Sequence, residues 1–165
     1  MNKLNSDRFL LRCMNSSDAT ERYLGWLSSQ VSQYILNKPK TIDDLADYID
    51  QQIQDESVYF YGIFTREDHQ HIGNVKFIIK GKMQDSVEMG ILIGEPAWHG
   101  KGVAREVIEC FARHAQKQLG IVKMTLGVDL ANVAAVNAYE KIGFEKLDDG
   151  RTDNGLTMVW NLNGH

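Results

Sequence analysis

The stretch from Ser86 to Gly120, SVEMGILIGEPAWHGKGVAREVIECFARHAQKQLG, changes its hydrophobic period once. At the change stand the two glycines of HGKG. SVEMGILIG reads as a strand, with side chains alternating between two faces. Beyond the glycines, Val103, Val107, Phe111 and Ala115 recur every four residues, the spacing of one apolar helix face. Gly120 ends that pattern as a left-handed cap. A strand, a tight glycine joint and a helix in this order require sheet and helix layers together, and exclude an all-helical or all-β chain.

The flanks extend this unit. VYFYGIFT and HIGNVKFIIK, separated by the polar turns REDHQ and GKMQD, lead into SVEMGILIG at hairpin spacing and predict an antiparallel meander. Further upstream, FLLRC is a short strand, and SSDATERYLGWLSSQ reads as a helix with Asp18 and Glu21 spaced as a capping box. Pro39 interrupts the chain, and TIDDLADYIDQQI follows as a helix opened by Thr41. Downstream come the strand IVKMTLGVD, a short helix NVAAVNAYEKIG closed at Gly143, and a hairpin of FEKLDDG and LTMVWNL around RTDNG. The expected class is α/β, one domain over residues 1–165. Its sheet is mixed, mostly antiparallel, of about seven strands flanked by about four helices.

Composition narrows the functional classes. A chain of 165 residues with 43% hydrophobic and 24% charged residues suits one globular domain. A net charge of -4 argues against nucleic acid as a partner, because phosphate-backbone binding needs a basic surface. No apolar run approaches the roughly 20 residues of a membrane span. MNKLNSDRFLLRC carries no long apolar region or cleavage signature, so a cytoplasmic location is expected. Cys13 and Cys110 lack metal-ligand spacing and read as buried reduced thiols. His69, His71 and His165 read as solvated and His114 as surface or half-buried, and no metal site is expected.

The glycine joint admits two readings. Gly100 and Gly102 let a ligand approach the backbone, and the first-turn N–H groups of the helix have no intrahelical partner. Lys101 adds positive charge and Ala104 keeps the turn small, which together suit a diphosphate. The bland alternative is a tight turn with a solvated lysine. Neither GxxxxGK[ST] nor a GxGxxG opening a dinucleotide-binding unit is present.

Read together, EMGILIGEPAWHGKGVA and NVAAVNAYEKIGF resemble the GNAT superfamily of acetyl-CoA-dependent N-acetyltransferases. The family pattern [Q/R]-x-x-G-x-[G/A] appears as His99-Gly100-Lys101-Gly102-Val103-Ala104, with His99 where glutamine or arginine is usual. The second motif is Asn132 with Tyr139 seven residues on, then Gly143-Phe144. Element order matches from Phe9 to about Leu162, and the look of the joint is similar to the branch holding the ribosomal-protein N-terminal acetyltransferases.

The resemblance implies a site. In the family the fourth strand splays from the fifth, and the pantetheine arm of acetyl-CoA lies in the gap. Backbone groups of Leu92, Ile93 and Gly94 are then expected to bind its amides, one N–H polarising the thioester carbonyl. His99, Gly100, Lys101, Gly102, Val103, Ala104 and Arg105 are expected to hold the pyrophosphate. Asn132 and Asn137 are further cofactor-binding candidates, with a helix cap and a solvated helix face as the alternatives. Tyr139 is the candidate acid for the departing thiolate, against an aromatic packing role. Glu88, on the face of Gly90 and Leu92, is the candidate base acting through water, against a cross-strand ion pair or rim charge. Direct attack in a ternary complex is implied, with no acetyl-enzyme, no metal, and a monomer or homodimer.

The acceptor is less constrained. The expectation is a small amine or an amino sugar, because YLGWL, VSQYI and IGNVKF look like acetyltransferases that modify nucleotide-linked amino sugars. Tyr23, Trp26 and Tyr34 are candidate cleft residues, with core packing as the alternative. Arg22, Lys38, Lys40 and Lys76 are available for an anionic substrate. Protein N-termini or side-chain amines are the second possibility, favoured by the acidic IDDLADYID. A module that binds acetyl-CoA without catalysis is the third.

Overall fold

The computed structural model describes residues 3–28, 38–147 and 155–163. Tyr34, most of RTDNG and His165 lie outside the described residues. The elements run β1 (Leu4–Asn5), β2 (Phe9–Cys13), α1 (Glu21–Leu27), α2 (Ile42–Gln54), β3 (Val58–Thr65), β4 (His71–Lys80) and β5 (Ser86–Ile93). They continue as α3 (Val103–His114), β6 (Lys123–Asp129), α4 (Val133–Ile142), β7 (Glu145–Lys146) and β8 (Gly155–Asn161). Strand order is β1-β2-β3-β4-β5-β6-β8-β7. The strand beyond the expected seven is β1, whose two residues carry no periodicity to read. Pairing of β1 with β2, β2 with β3, β6 with β8 and β7 with β8 is antiparallel, while β5 and β6 are parallel. The α/β class and mixed sheet are as expected, with four α-helices among the described residues.

The chain divides into two compact units. The first holds Met1–Lys76 and Ile91–Ala104. Its core gathers Met14, Tyr23, Trp26, Leu27, Leu45, Ile49 and Phe60, with Leu92 packed against it. Leu45 and Ile49, one turn apart, give α2 its buried stripe. Thr20 and Thr41 cap α1 and α2, their hydroxyls accepting from the N–H of Tyr23 (3.2 Å) and Asp44 (3.0 Å). The capping box sits earlier than expected. It is formed by Asn15 and Asp18 around a single 3₁₀ turn, and Asp18 also accepts from both terminal nitrogens of the Arg12 guanidinium (2.8 and 3.1 Å). Burial raises the Asp18 pKa, but the Arg12 and Asn15 hydrogen bonds outweigh it, so the carboxyl ends below its ordinary value.

The second unit holds Phe77–Gly90 and Arg105–His165. Val107, Phe111 and Ala115 of the predicted helix face are buried, joined by Ile108, and Phe111 stacks on Phe77 with centroids 3.6 Å apart. Past His114 the helix widens into one π-type turn, Ala115–Leu119, and Gly120 closes it at φ 67°. β5 and β6 register from Ser86 opposite Lys123 to Met89 opposite Leu126. Gly143 ends α4 at φ 134°, where the Trp160 ring leaves no room for a Cβ.

Candidate functional site

The glycine joint is built as a loop with two left-handed glycines. Gly100 and Gly102 have φ of 70° and 77°, a region open to glycine at little cost, and α3 starts at the next residue. Gly100, Lys101 and Gly102 are exposed, Val103 is buried and Ala104 half-buried. A Cβ at Gly100 would point into open space. The backbone there is reachable, and the orphan N–H groups of the first turn lie beside it. This donor set fits a diphosphate.

Two long side chains hold the loop. The His99 ring Nε2 lies 2.7 Å from the Ile93 carbonyl oxygen, so the histidine in place of glutamine or arginine ties the loop back to β5. The Arg8 guanidinium donates from Nη2 to the Lys101 carbonyl at 2.9 Å. Arg8 lies over the ring of Phe9, and Phe9 meets Trp98 edge to face with centroids 5.2 Å apart. Arg8 was not singled out by sequence reasoning. Its partner stands 93 positions away, and no local pattern marks it.

The end of β5 sharpens the expectation for Leu92, Ile93 and Gly94. The Gly94 N–H donates to the Ile72 carbonyl on β4 at 2.9 Å. Backbone groups alternate sides along a strand, so those of Ile93 point away from β4. Leu92 packs into the core, and Gly94 lies under Trp26, whose ring would collide with any Cβ there. Of the three, Ile93 turns its N–H away from β4, while its carbonyl on the same side already takes the His99 ring. Trp26 and Tyr23 are buried core residues rather than open cleft walls. Trp26 Nε1 and Arg22 both donate to Glu95 Oε1, at 3.2 and 2.6 Å.

His71 departs from the solvated reading. It is half-buried, stacked on Phe64 (4.8 Å) and edge-on to Trp26 (4.9 Å). Its Nε2 lies 2.8 Å from Asn74 Oδ1, and burial holds its pKa below the ordinary histidine value. The Asn74 amide nitrogen is buried with no hydrogen-bond partner among the described residues. Cys110 is buried as expected, whereas Cys13 is only half-buried.

In the second unit, Glu88 is exposed on β5 between the buried Val87 and Met89, and forms no ion pair with a described residue. Its alternation with Gly90 is as read. Tyr139 is half-buried on α4, edge-on to Phe144 at 5.9 Å, and burial raises its pKa above the ordinary phenol value. A phenol so placed keeps its proton at neutral pH. The Asn132 side chain caps α4 by accepting from the Ala135 N–H at 3.3 Å. Asn137 is exposed on the same helix. Arg105 pairs along α3 with Glu109 at 2.7 Å, a contact of small energetic weight on an exposed face.

Comparison with known proteins identifies the family and the fold. Residues 8–145 match the model of the acetyltransferase (GNAT) domain. A curated relative, "Probable N-acetyltransferase YjcK" of Bacillus subtilis, is 30% identical over 118 residues, covering 70% of this chain and 64% of that protein. Spermidine N(1)-acetyltransferase of Escherichia coli K12 is 27% identical over 126 residues, covering 74% of this chain and 66% of its own length. The chain thus spans just under two thirds of both relatives. Among solved structures, a GNAT-family acetyltransferase from Bacillus anthracis superposes with TM-score 0.79 at 15% identity, over 98% of this chain and 99% of that one. A spermidine N-acetyltransferase chimera from Vibrio cholerae and hSSAT gives TM-score 0.77 at 23% identity, over 94% of this chain and 96% of that one. At those identities the structural likeness concerns the fold alone. The chain belongs to the GNAT acetyltransferase family.

Proposed function

We propose that the chain is an acetyl-CoA-dependent N-acetyltransferase acting on a primary amine of a small cationic molecule, with residues 1–165 as one catalytic domain. The observation that carries this reading is the Gly100-Lys101-Gly102 loop, with two left-handed glycines opening α3 in a chain of this family. Acetyl-CoA supplies the activated acetyl thioester. The loop N–H groups and Lys101 bind its diphosphate, the Ile93 N–H a carbonyl of its pantetheine arm, and Asn132 a further polar group.

The acceptor amine must be neutral to attack the thioester carbon. Glu88 takes the amine proton through water. As the carbon–sulfur bond breaks, Tyr139 gives its proton to the sulfur, and the second proton, lost by the acylated nitrogen, returns through water to the phenolate. Burial keeps the phenol protonated at neutral pH and also makes it a weaker acid, so the assignment rests on the Asn132–Tyr139 spacing in a chain of this family. Neither cysteine takes part, and the acetyl group passes in one displacement.

The acceptor class rests on charge. Asp43, Asp44 and Asp47 are exposed on α2, and the chain carries a net charge of -4. Arg22 is committed to Glu95, and Lys76 donates to Tyr48 and Gln52, which removes two cations from those available to an anionic sugar nucleotide. The spermidine acetyltransferase among the relatives supports a cationic amine. A protein N-terminus shares this charge logic and is the second reading. No described helix is long and apolar enough to cross a membrane, in keeping with the proposed cytoplasmic location.

The test follows thiol release from acetyl-CoA across polyamines, amino-sugar nucleotides, aminoglycosides and basic N-terminal peptides. Release with polyamines and not with amino-sugar nucleotides is expected. Release with the sugar nucleotides alone would overturn the acceptor class. Calorimetric binding of acetyl-CoA without release from any amine would point to a non-catalytic binding module.

A further inference from the structure

We infer that Arg8 is a positioning residue for the diphosphate, acting by fixing the direction of the Lys101–Gly102 peptide. The inference rests on the diphosphate reading of the loop given above. In a trans peptide the C=O and the following N–H point in opposite directions. The Lys101 carbonyl is held by Arg8 Nη2 at 2.9 Å, so the Gly102 N–H points away from the arginine. Gly102 sits at φ 77°, and glycine tolerates both signs of φ, so local sterics do not choose between this peptide orientation and its reverse. Reversed, the peptide would present a carbonyl oxygen to the anion. The charged hydrogen bond from Arg8 selects the orientation that presents a donor.

Arg8 is itself firmly mounted. Its backbone carbonyl accepts from the Arg66 N–H at 2.9 Å. The Arg66 guanidinium donates to the carbonyls of Ser6 (2.8 Å) and Asp7 (3.3 Å), clamping the same turn. The Arg8 guanidinium carbon lies 5.0 Å from the Phe9 ring centroid and 5.8 Å from that of Trp98. Trp98 immediately precedes His99, so one aromatic pair seats both the arginine and the entry of the loop. A planar guanidinium can stack on these rings while donating to the carbonyl, and a lysine ammonium cannot do both.

The test compares acetyl-CoA with acetyl-pantetheine, which carries the thioester and lacks the diphosphate. Wild type should show a lower KM for acetyl-CoA than for acetyl-pantetheine. In Arg8→Met that preference should fall about tenfold or more, through KM for acetyl-CoA rather than kcat. Arg8→Lys should fall between the two, and it carries the test if Arg8→Met does not fold. A folded Arg8 variant with the wild-type preference would overturn the inference. Wild type with no preference would instead sink the diphosphate reading itself, so the two failures are distinguishable.

Discussion

The glycine loop and helix α4 carry the two family motifs, yet they are built in opposite ways. The loop is held from a distance, by Arg8 across 93 positions and by Trp98 against Phe9, with His99 on Ile93 as a local tie. On α4 the candidates are held by their neighbours. Asn132 caps its own helix, and Tyr139 leans on Phe144, five residues on. The loop has a backbone that glycine leaves free to choose, so remote contacts must choose for it. The helix is specified by its own hydrogen bonds and needs little help. Substitutions in the loop should therefore act on binding, and those on α4 should split between stability and chemistry.

The harshest way to break this contrast is Gly102→Glu. The substitution forces a side chain onto a φ of 77° and places a carboxylate at the anion cradle. Like charge against a bound anion costs several kcal/mol, so acetyl-CoA affinity should fall at least about 100-fold by calorimetry. Circular dichroism should show the fold retained, because the residue is exposed. Affinity within about threefold of wild type would mean the loop is only a turn.

Tyr139→Phe is the next largest. It keeps the ring contact with Phe144 and removes the proton. Turnover should fall about 100-fold while acetyl-CoA affinity hardly moves. Because burial raises the Tyr139 pKa, the phenol stays protonated below its ordinary value of about 10. Wild-type kcat should therefore show no Tyr139-dependent loss between about pH 6 and 9. Undiminished turnover in the variant would reduce Tyr139 to the packing role.

What could be read in advance follows the same division. The strands and helices from Phe9 to Asn161 announced themselves through local periodicity, as did the caps at Thr41, Gly120 and Gly143. Thr20 capped α1 where Asp18 was expected, because a 3₁₀ turn from Asn15 took up the acidic residue. The glycine pair and the Asn132–Tyr139 spacing were legible because both are local in the chain. Arg8, the packing of Trp26 on His71 and the Glu95 bond to Trp26 were not. Each depends on elements brought together from far apart, where the intervening sequence carries no trace of the pairing.

The mildest test separates the two jobs of Asn132. Its side-chain oxygen caps α4, while its amide nitrogen is the group proposed for the cofactor. Asn132→Ser keeps a capping oxygen and loses the amide, whereas Asn132→Ala loses both. Only the alanine variant should lose stability, by about 1 kcal/mol in denaturant titration. Both should weaken acetyl-CoA binding by a similar factor of about three, the worth of one neutral hydrogen bond. If serine binds acetyl-CoA as well as wild type does, Asn132 serves the helix alone. The motif would then mark a folding signal on the locally built side, and recognition would rest on the loop.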